Sequence, residues 1–260
     1  MPVPVKPLPS ASIMLIRDGQ LREEGGSRIE ILMMERHGKM RFAAGALVFP
    51  GGKVDRVDSD PTLFNGFESL KHLPYRFAAI REMFEEAGVL LARRHKAKRP
   101  LGKRGQIALS RQYRRRFLKG NFSLADLRRR ANLRFSPDQL VPFAHWVTPD
   151  WQPMRFSTVF FLAALPAGQV ALHDGGEAVH SFWARPADIL GEDGLGPKNM
   201  MFPTRLNLAK LAKAKNVREA LDRARKSKIV TVIPRVVRGE KVATAYIPQA
   251  AGYGGGEFQF

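Results

Sequence analysis

The sequence has no cysteine, which excludes disulfides and thiolate metal sites and leaves the redox compartment unconstrained. It has no apolar run approaching the roughly 20 residues that a membrane-spanning helix needs. Its first residues, MPVPVKPLPSASIMLIRDG, carry prolines where a signal peptide has its apolar core. No targeting signal is read there, and the expected setting is the cytoplasm. Acids are scarce: 24 Asp and Glu against 43 Lys and Arg give a net charge of +19. What remains is ordinary for a folded protein. At 260 residues, 44% apolar and 26% charged, the chain has room for one large domain with insertions or an appendage.

The positive surplus is local. Between Arg93 and Arg134 sixteen Lys or Arg face a single acid, Asp126. Such a block concentrates anions near the surface, whether nucleotides, coenzyme A, RNA or acidic lipid. A solvated cationic surface is the alternative, and the block alone names no partner.

Pattern and turn chemistry predict strands at 10–17 and 28–34, joined by the polar, Gly-containing DGQLREEGGS as a hairpin. A short strand is expected at 46–49, ending at Pro50. The stretch 55–73 reads as loop with one helical turn near 64–70. Pro74 opens a helix over about 75–93. The basic block predicts helices at 105–118 and 124–133, the second capped by Ser123 with Asp126 three residues on. Strands follow at 140–147, 157–165 and 178–184. Helices at 205–214 and 217–226 are expected behind Thr204 and Asn216, then a hairpin over 229–247 and a mobile tail at 251–260. The whole implies an α+β fold and a single domain over 1–250, with a basic helical insertion at about 93–134 and a helix-hairpin extension at about 204–248.

The chemistry sits on the predicted helix at 75–93. At about 100° per residue, Phe77, Ile80, Phe84, Ala87 and Leu91 share one face, and Glu82, Glu85 and Glu86 the opposite one. Like charges at three and four residues repel by roughly 0.2–0.5 kcal/mol per pair. Three bare carboxylates are therefore unfavourable unless a cation joins them. Oxygen donors of this kind suit Mg²⁺ or Mn²⁺ bound together with waters and substrate phosphates. The upstream turn Phe49-Pro50-Gly51-Gly52 can bring bare backbone close to such an ion, since glycine has no Cβ to obstruct it. The bland alternative is a solvated acidic face. The pattern favours a metal-dependent hydrolase of a diphosphate.

Gly52 and Arg81-Glu82-Met83-Phe84-Glu85-Glu86-Ala87-Gly88-Val89 resemble the Nudix box. Two departures stand out. Asp58 occupies the place of the box's first glutamate, and twenty-two residues separate it from Arg81 where the box has seven. The flanks VFPGGKVDRVD and AAIREMFEEAGVLLA, and the later Trp146-Val147-Thr148-Pro149 and Arg155-Phe156-Ser157-Thr158, resemble the branch of peroxisomal coenzyme A diphosphatases and their bacterial relatives, with Ser157 where that branch would place Asp.

The resemblance implies a Nudix-type α/β/α sandwich with a mixed sheet, and hydrolysis of a nucleoside diphosphate derivative, coenzyme A or acyl-coenzyme A foremost. It implies Mg²⁺ or Mn²⁺ on Glu85 and Glu86, with Glu82 a further ligand or the acceptor for the ligated water, and Gly51 beside the metal. Arg81 is better placed to fix a neighbouring carboxylate than to touch substrate. Glu177 is a candidate base or extra ligand, against a plain loop glutamate. His180 has base chemistry but reads better as a half-buried strand residue. Gly52, Arg155, Arg114 and Arg115 are candidate substrate contacts, with Arg111 and Arg116 as further phosphate-capturing arginines. Trp146, Trp151, Phe156 and Tyr75 are candidates for stacking on a base, against a core role. Other readings are a Nudix hydrolase of another nucleotide or of capped RNA, and a non-catalytic RNA- or anion-binding module. A homodimer is admissible.

Overall fold

The computed structural model describes residues 5–20, 27–36, 45–171, 178–239 and 243–259. β1 (Leu8–Asp18) and β2 (Ile29–Arg36) are followed by the short β3 (Leu47–Val48) and β4 (Gly51–Lys53). A 3-10 turn at Arg56–Ser59 and α1 (Pro61–Phe64) lead into α2 (Leu73–Ala87). The basic segment forms β5 (Ala92–Arg94), α3 (Lys103–Leu118), α4 (Leu124–Ala131) and β6 (Leu133–Phe135). Then come β7 (Val141–Val147), β8 (Phe156–Ala164), β9 (Ala178–Ala184), α5 (Pro186–Leu190), α6 (Phe202–Ala212) and α7 (Val217–Lys226). β10 (Thr231–Val232), β11 (Arg235–Arg238), β12 (Ala243–Tyr246) and β13 (Glu257–Gln259) complete the order.

A mixed sheet runs β10-β7-β8-β1-β2-β3, with β4 on β1 and β9 on β2. β1 pairs in parallel with β8 along Leu8–Ile16. Its other edge is shared: Ser10–Ser12 pair with β4, and Ile16–Asp18 with β2, both antiparallel. That sharing hangs the Gly51-Gly52 turn on one end of the central strand. The residues of β1 from Ser10 to Ile16 are buried, as the near-continuous apolar run requires of a strand covered on both faces. Ala11, Ile13, Leu15, Val159 and Phe161 face a core completed by α2, α3 and α4. Met14, Ile16, Met33, Phe160 and Leu162 face a second core with α5, α6, α7 and residues 247–253. Helices therefore cover both faces of a mixed sheet, the expected α+β layering.

Several elements differ from the sequence expectation. α2 stops at Ala87, with Gly88 at φ 63° as its left-handed cap, so Val89–Leu91 leave the helix instead of extending it to 93. β4 was not expected, because two glycines carry little strand preference; it forms on the open edge of β1. The helical turn lies at Pro61–Phe64, capped by Asp60, and not at 64–70. α6 begins at Phe202, so Thr204 is buried inside the helix and is no cap. The run expected as one hairpin strand divides. β10 joins β7 in the main sheet, while β11 pairs with β12. The residues expected as a mobile tail include Tyr253, buried in the core, and β13, which pairs with β12. The caps Ser123 on α4 and Asn216 on α7 are as read from the sequence.

Candidate functional site

α2 is built to bury one side and present the other at the end of β1. Pro74 pre-sets its first turn, and the helix rises from His72, at φ 61°. Phe77, Ile80, Met83, Phe84 and Ala87 are fully buried against the sheet. Each of the large side chains contributes about 1.5–3 kcal/mol by leaving water. Once that stripe is fixed, Arg81, Glu82, Glu85 and Glu86 are directed toward the glycine turn and the 3-10 turn.

Arg81 is the hub. Its Nε and Nη2 donate to Asp58 Oδ1 and Oδ2, both at 2.9 Å, in a fork. Nη1 donates to Glu82 Oε1 at 2.8 Å and to Glu85 Oε1 at 3.3 Å. Nη2 also donates to the Lys53 carbonyl at 2.8 Å. Asp55 lies 3.6 Å away. The cation that the acidic face requires is thus supplied, within the described residues, by the neighbouring arginine. Asp58 is set by a reciprocal cap in which its Oδ2 also accepts from the Asp55 amide at 2.8 Å. Burial raises the Asp58 pKa above the ordinary carboxylate value, opposed by its bonds to Arg81. Burial would lower Arg81, but Asp58 and then the charges of Glu82 and Glu85 hold it above the ordinary guanidinium value. The fork geometry keeps this pair ionised. Burial pushes Glu82 up to about 7 against the pull of Arg81, and Glu85 adds to the rise.

The glycine turn closes on the same group. The Gly51 amide donates to Glu86 Oε2 at 2.9 Å. A Cβ on Gly51 would meet the Ala11 carbonyl oxygen at 2.4 Å, and one on Gly52 would meet Glu82 Oε1 at 2.2 Å. Gly51 excludes a side chain because backbone stands in its way, and at Gly52 a side chain would have to displace the Glu82 carboxylate.

The basic insertion supports this helix from behind. Arg114 on α3 is buried and donates through Nε to the Glu85 carbonyl at 2.6 Å and through Nη2 to the Glu86 carbonyl. Carbonyls in a last turn have no partner within their own helix, and a cation there also complements the helix dipole. Gln106, fully buried, donates to the carbonyls of Gly88 and Val170 and accepts from the Val170 amide. Gln169 donates to the carbonyls of Leu90 and Leu101 and accepts from the Leu90 amide. Nothing local marks these glutamines. Their only sequence signal is an amide-bearing residue within an otherwise apolar or basic pattern.

The remaining candidates are dispersed. Arg155 donates to the carbonyls of Thr148 and Val5, fixing the β7–β8 turn and the N-terminal segment. Arg111, Arg115 and Arg116 are exposed on α3. Arg114 holds helix carbonyls, where phosphate capture was expected. Trp146 is core, its Nε1 donating to Tyr253 Oη at 2.9 Å. Trp151 is exposed, while Tyr75 and Phe156 are half-buried. His180 is exposed, with its ring stacked on Phe182, where half-burial was expected. Ser157 Oγ lies 2.9 Å from His145 Nε2. Glu177 lies outside the described residues.

Residues 70–193 match the family model described as the NUDT19 Nudix domain. A putative nudix hydrolase 7 of Caenorhabditis elegans is 27% identical over 188 residues, 72% of this chain and 57% of that protein. These likenesses support membership of the Nudix superfamily. It spans a little over half the length of that curated relative. A Nudix hydrolase crystal structure from Alicyclobacillus acidocaldarius is similar in fold, with TM-score 0.64 and 28% identity over 84% of this chain and 96% of that one. The matched model begins at residue 70, after Gly52 and Asp58.

Divalent metals serve Nudix enzymes generally. Among the described residues no three acids or histidines stand in a cluster that could already hold an ion. The carboxylates gather round Arg81 and the Gly51 amide. The donor chemistry nevertheless fits a hard cation, because Glu82, Glu85 and Glu86 supply only oxygen, and Gly52 leaves Glu82 open to bare backbone.

Proposed function

We propose that this Nudix chain hydrolyses a diphosphate linkage in a nucleoside diphosphate derivative, with coenzyme A or an acyl-coenzyme A as the substrate class and Mg²⁺ or Mn²⁺ as cofactor. The reading is carried by one observation: Glu82, Glu85, Glu86 and Arg81 meet the Gly51-Gly52 turn at the end of the central strand. The branch-like flanks around that turn and after β7 support coenzyme A over other nucleotides.

In the reaction a water oxygen bonds to one phosphorus, the bridging P–O bond breaks, and the departing phosphate takes the bridging oxygen. Glu82, Glu85, Glu86 and the Gly51 carbonyl would hold the metal, which polarises the phosphoryl group and acidifies water. Arg81, tied to Asp58, limits the rotamers open to Glu82 and Glu85, so their oxygens are oriented before substrate arrives. Arg114 fixes the backbone of Glu85 and Glu86 from the opposite side. Gly52 admits the substrate's phosphates next to Glu82 because no Cβ intervenes. Glu177 is the candidate acceptor of the water proton. The insertion at 93–134 belongs to the same domain in this reading, since its buried Arg114 and Gln106 complete α2.

The test is turnover of coenzyme A esters, ADP-ribose, NADH and dinucleoside polyphosphates with Mg²⁺ or Mn²⁺, for wild type beside Glu86→Gln and Glu177→Gln. Glu86→Gln is expected to lower turnover by orders of magnitude with little change in the metal-free melting temperature. An unchanged rate would sink the ligand assignment. No turnover of any substrate, with metal demonstrably bound, would sink the enzyme.

A further inference from the structure

The basic insertion presents two different sides of one helix, one to α2 and the other to solvent. Gln106, Leu109, Tyr113, Arg114 and Phe117 form the buried side of α3. Arg104, Arg111, Arg115 and Lys119 lie along its opposite side, and all four are exposed. At about 1.5 Å per residue, Arg111, Arg115 and Lys119 place one cation every ~6 Å along the helix axis.

The stripe continues beyond α3. Thirteen of the sixteen Lys and Arg between residues 93 and 134 are exposed. Among the described residues only Arg129 of these is within ion-pair distance of a carboxylate, that of Asp126. Nine of the thirteen are arginine. Elsewhere the surface is treated differently: on α7, Arg218, Arg223 and Arg225 each have an acidic neighbour at three or four residues. An unneutralised cationic face opposes its own folding by self-repulsion unless a polyanion covers it.

We infer that the outer face of the basic insertion is a docking surface for the phosphodiester backbone of a nucleic acid. Arginine predominates, and its planar fork suits phosphate oxygens better than the point charge of lysine. A membrane would be served equally by lysine and would want exposed apolar anchors beside the charge. Of the large apolar residues in the insertion, only Leu118 is exposed to that degree. Recognition through phosphates carries no base preference, so RNA and DNA share the chemistry. This inference does not depend on hydrolase activity, because the stripe faces away from the side of α3 that holds α2.

The experiment measures fluorescence anisotropy of labelled 20-nucleotide single-stranded RNA and DNA between 50 and 300 mM salt. Phosphatidylcholine vesicles with and without phosphatidylserine form a second arm. Wild type is compared with a variant carrying Arg104→Gln, Arg111→Gln, Arg115→Gln and Lys119→Gln. A control carries Lys213→Gln, Arg218→Gln, Arg225→Gln and Lys226→Gln. Wild type should bind both nucleic acids with a steep salt dependence. The α3 variant should weaken binding at least tenfold and flatten the log–log salt slope by about 3, near 0.7 per lost phosphate contact. The control should change neither by more than about threefold, and melting temperatures of the three proteins should agree within a few degrees. Equal losses in variant and control would overturn the assignment of the surface. Binding to phosphatidylserine vesicles without binding to nucleic acid would overturn the partner. If no substrate of the panel is turned over while this result holds, the hydrolase reading alone is lost.

Discussion

Replacing Asp58 with Asn probes the assembly around Arg81 most directly. The two side chains are 1% and 7% exposed and share two bonds of 2.9 Å. Asparagine keeps one acceptor but turns an N–H₂ toward a guanidinium that can only donate. It also removes the charge that balances Arg81. Breaking one side of a buried pair costs about 3–5 kcal/mol, because the remaining charge stays buried. Glu82 is still 2.8 Å from Nη1 and retains part of the compensation, which points to the lower end, about 3 kcal/mol. For a domain of this size that corresponds to a fall in Tm of about 6–12 °C. The measurement is urea unfolding of metal-free protein by circular dichroism at pH 7.5, with the slope of the transition compared between proteins. A loss below about 1 kcal/mol at equal slope would mean that the pair is not the buried anchor described.

Arg114→Met should destabilise the metal-free protein by about 2–3 kcal/mol, the worth of charged hydrogen bonds to two helix carbonyls, and Arg114→Lys should recover part of it; equal stability of Arg114→Met and wild type would refute the role. Tyr253→Phe leaves Trp146 Nε1 and Asn207 Oδ1 without the phenol that joins them at 2.9 and 2.8 Å. A loss of about 1–3 kcal/mol in urea unfolding is expected, and no loss would place the C-terminal segment outside the core. His145 has its pKa lowered from 6.5 by burial, and secondarily by His72. The unfolded chain therefore takes up a proton first. Its contribution to stability is full above about pH 6.5 and declines as pH falls through that value toward the folded pKa. His145→Asn should flatten the fall in unfolding midpoint between pH 7 and 5.5; an unaltered profile would exclude His145 as a source.

Local chemistry written into consecutive residues was legible. Ser123 with Asp126 announced α4, Asn216 announced α7, and the helical spacing of Glu82, Glu85 and Glu86 placed them on one face. Features created by distant contacts were not. Arg114 looks like any other arginine in a charged block, and only the approach of α3 to the end of α2 gives it two carbonyls. The link from Asp58 to Arg81 crosses an interrupted box, so spacing alone left its role open. The glycines after Tyr253 read as mobile because composition carries no record of one buried ring. That ring packs against Trp146, and β13 beyond it pairs with β12.

The placement of β1 has a consequence for biosynthesis. It lies in the middle of the sheet, yet it leaves the ribosome ahead of every strand it touches, and its longest pairing, with β8, waits for the entire basic insertion to be translated. During that interval the nascent chain carries an apolar segment with an unsatisfied backbone edge, the kind of template on which chains aggregate. Substitutions that slow docking of the insertion would therefore reduce the yield of soluble protein before they altered any property of the finished fold.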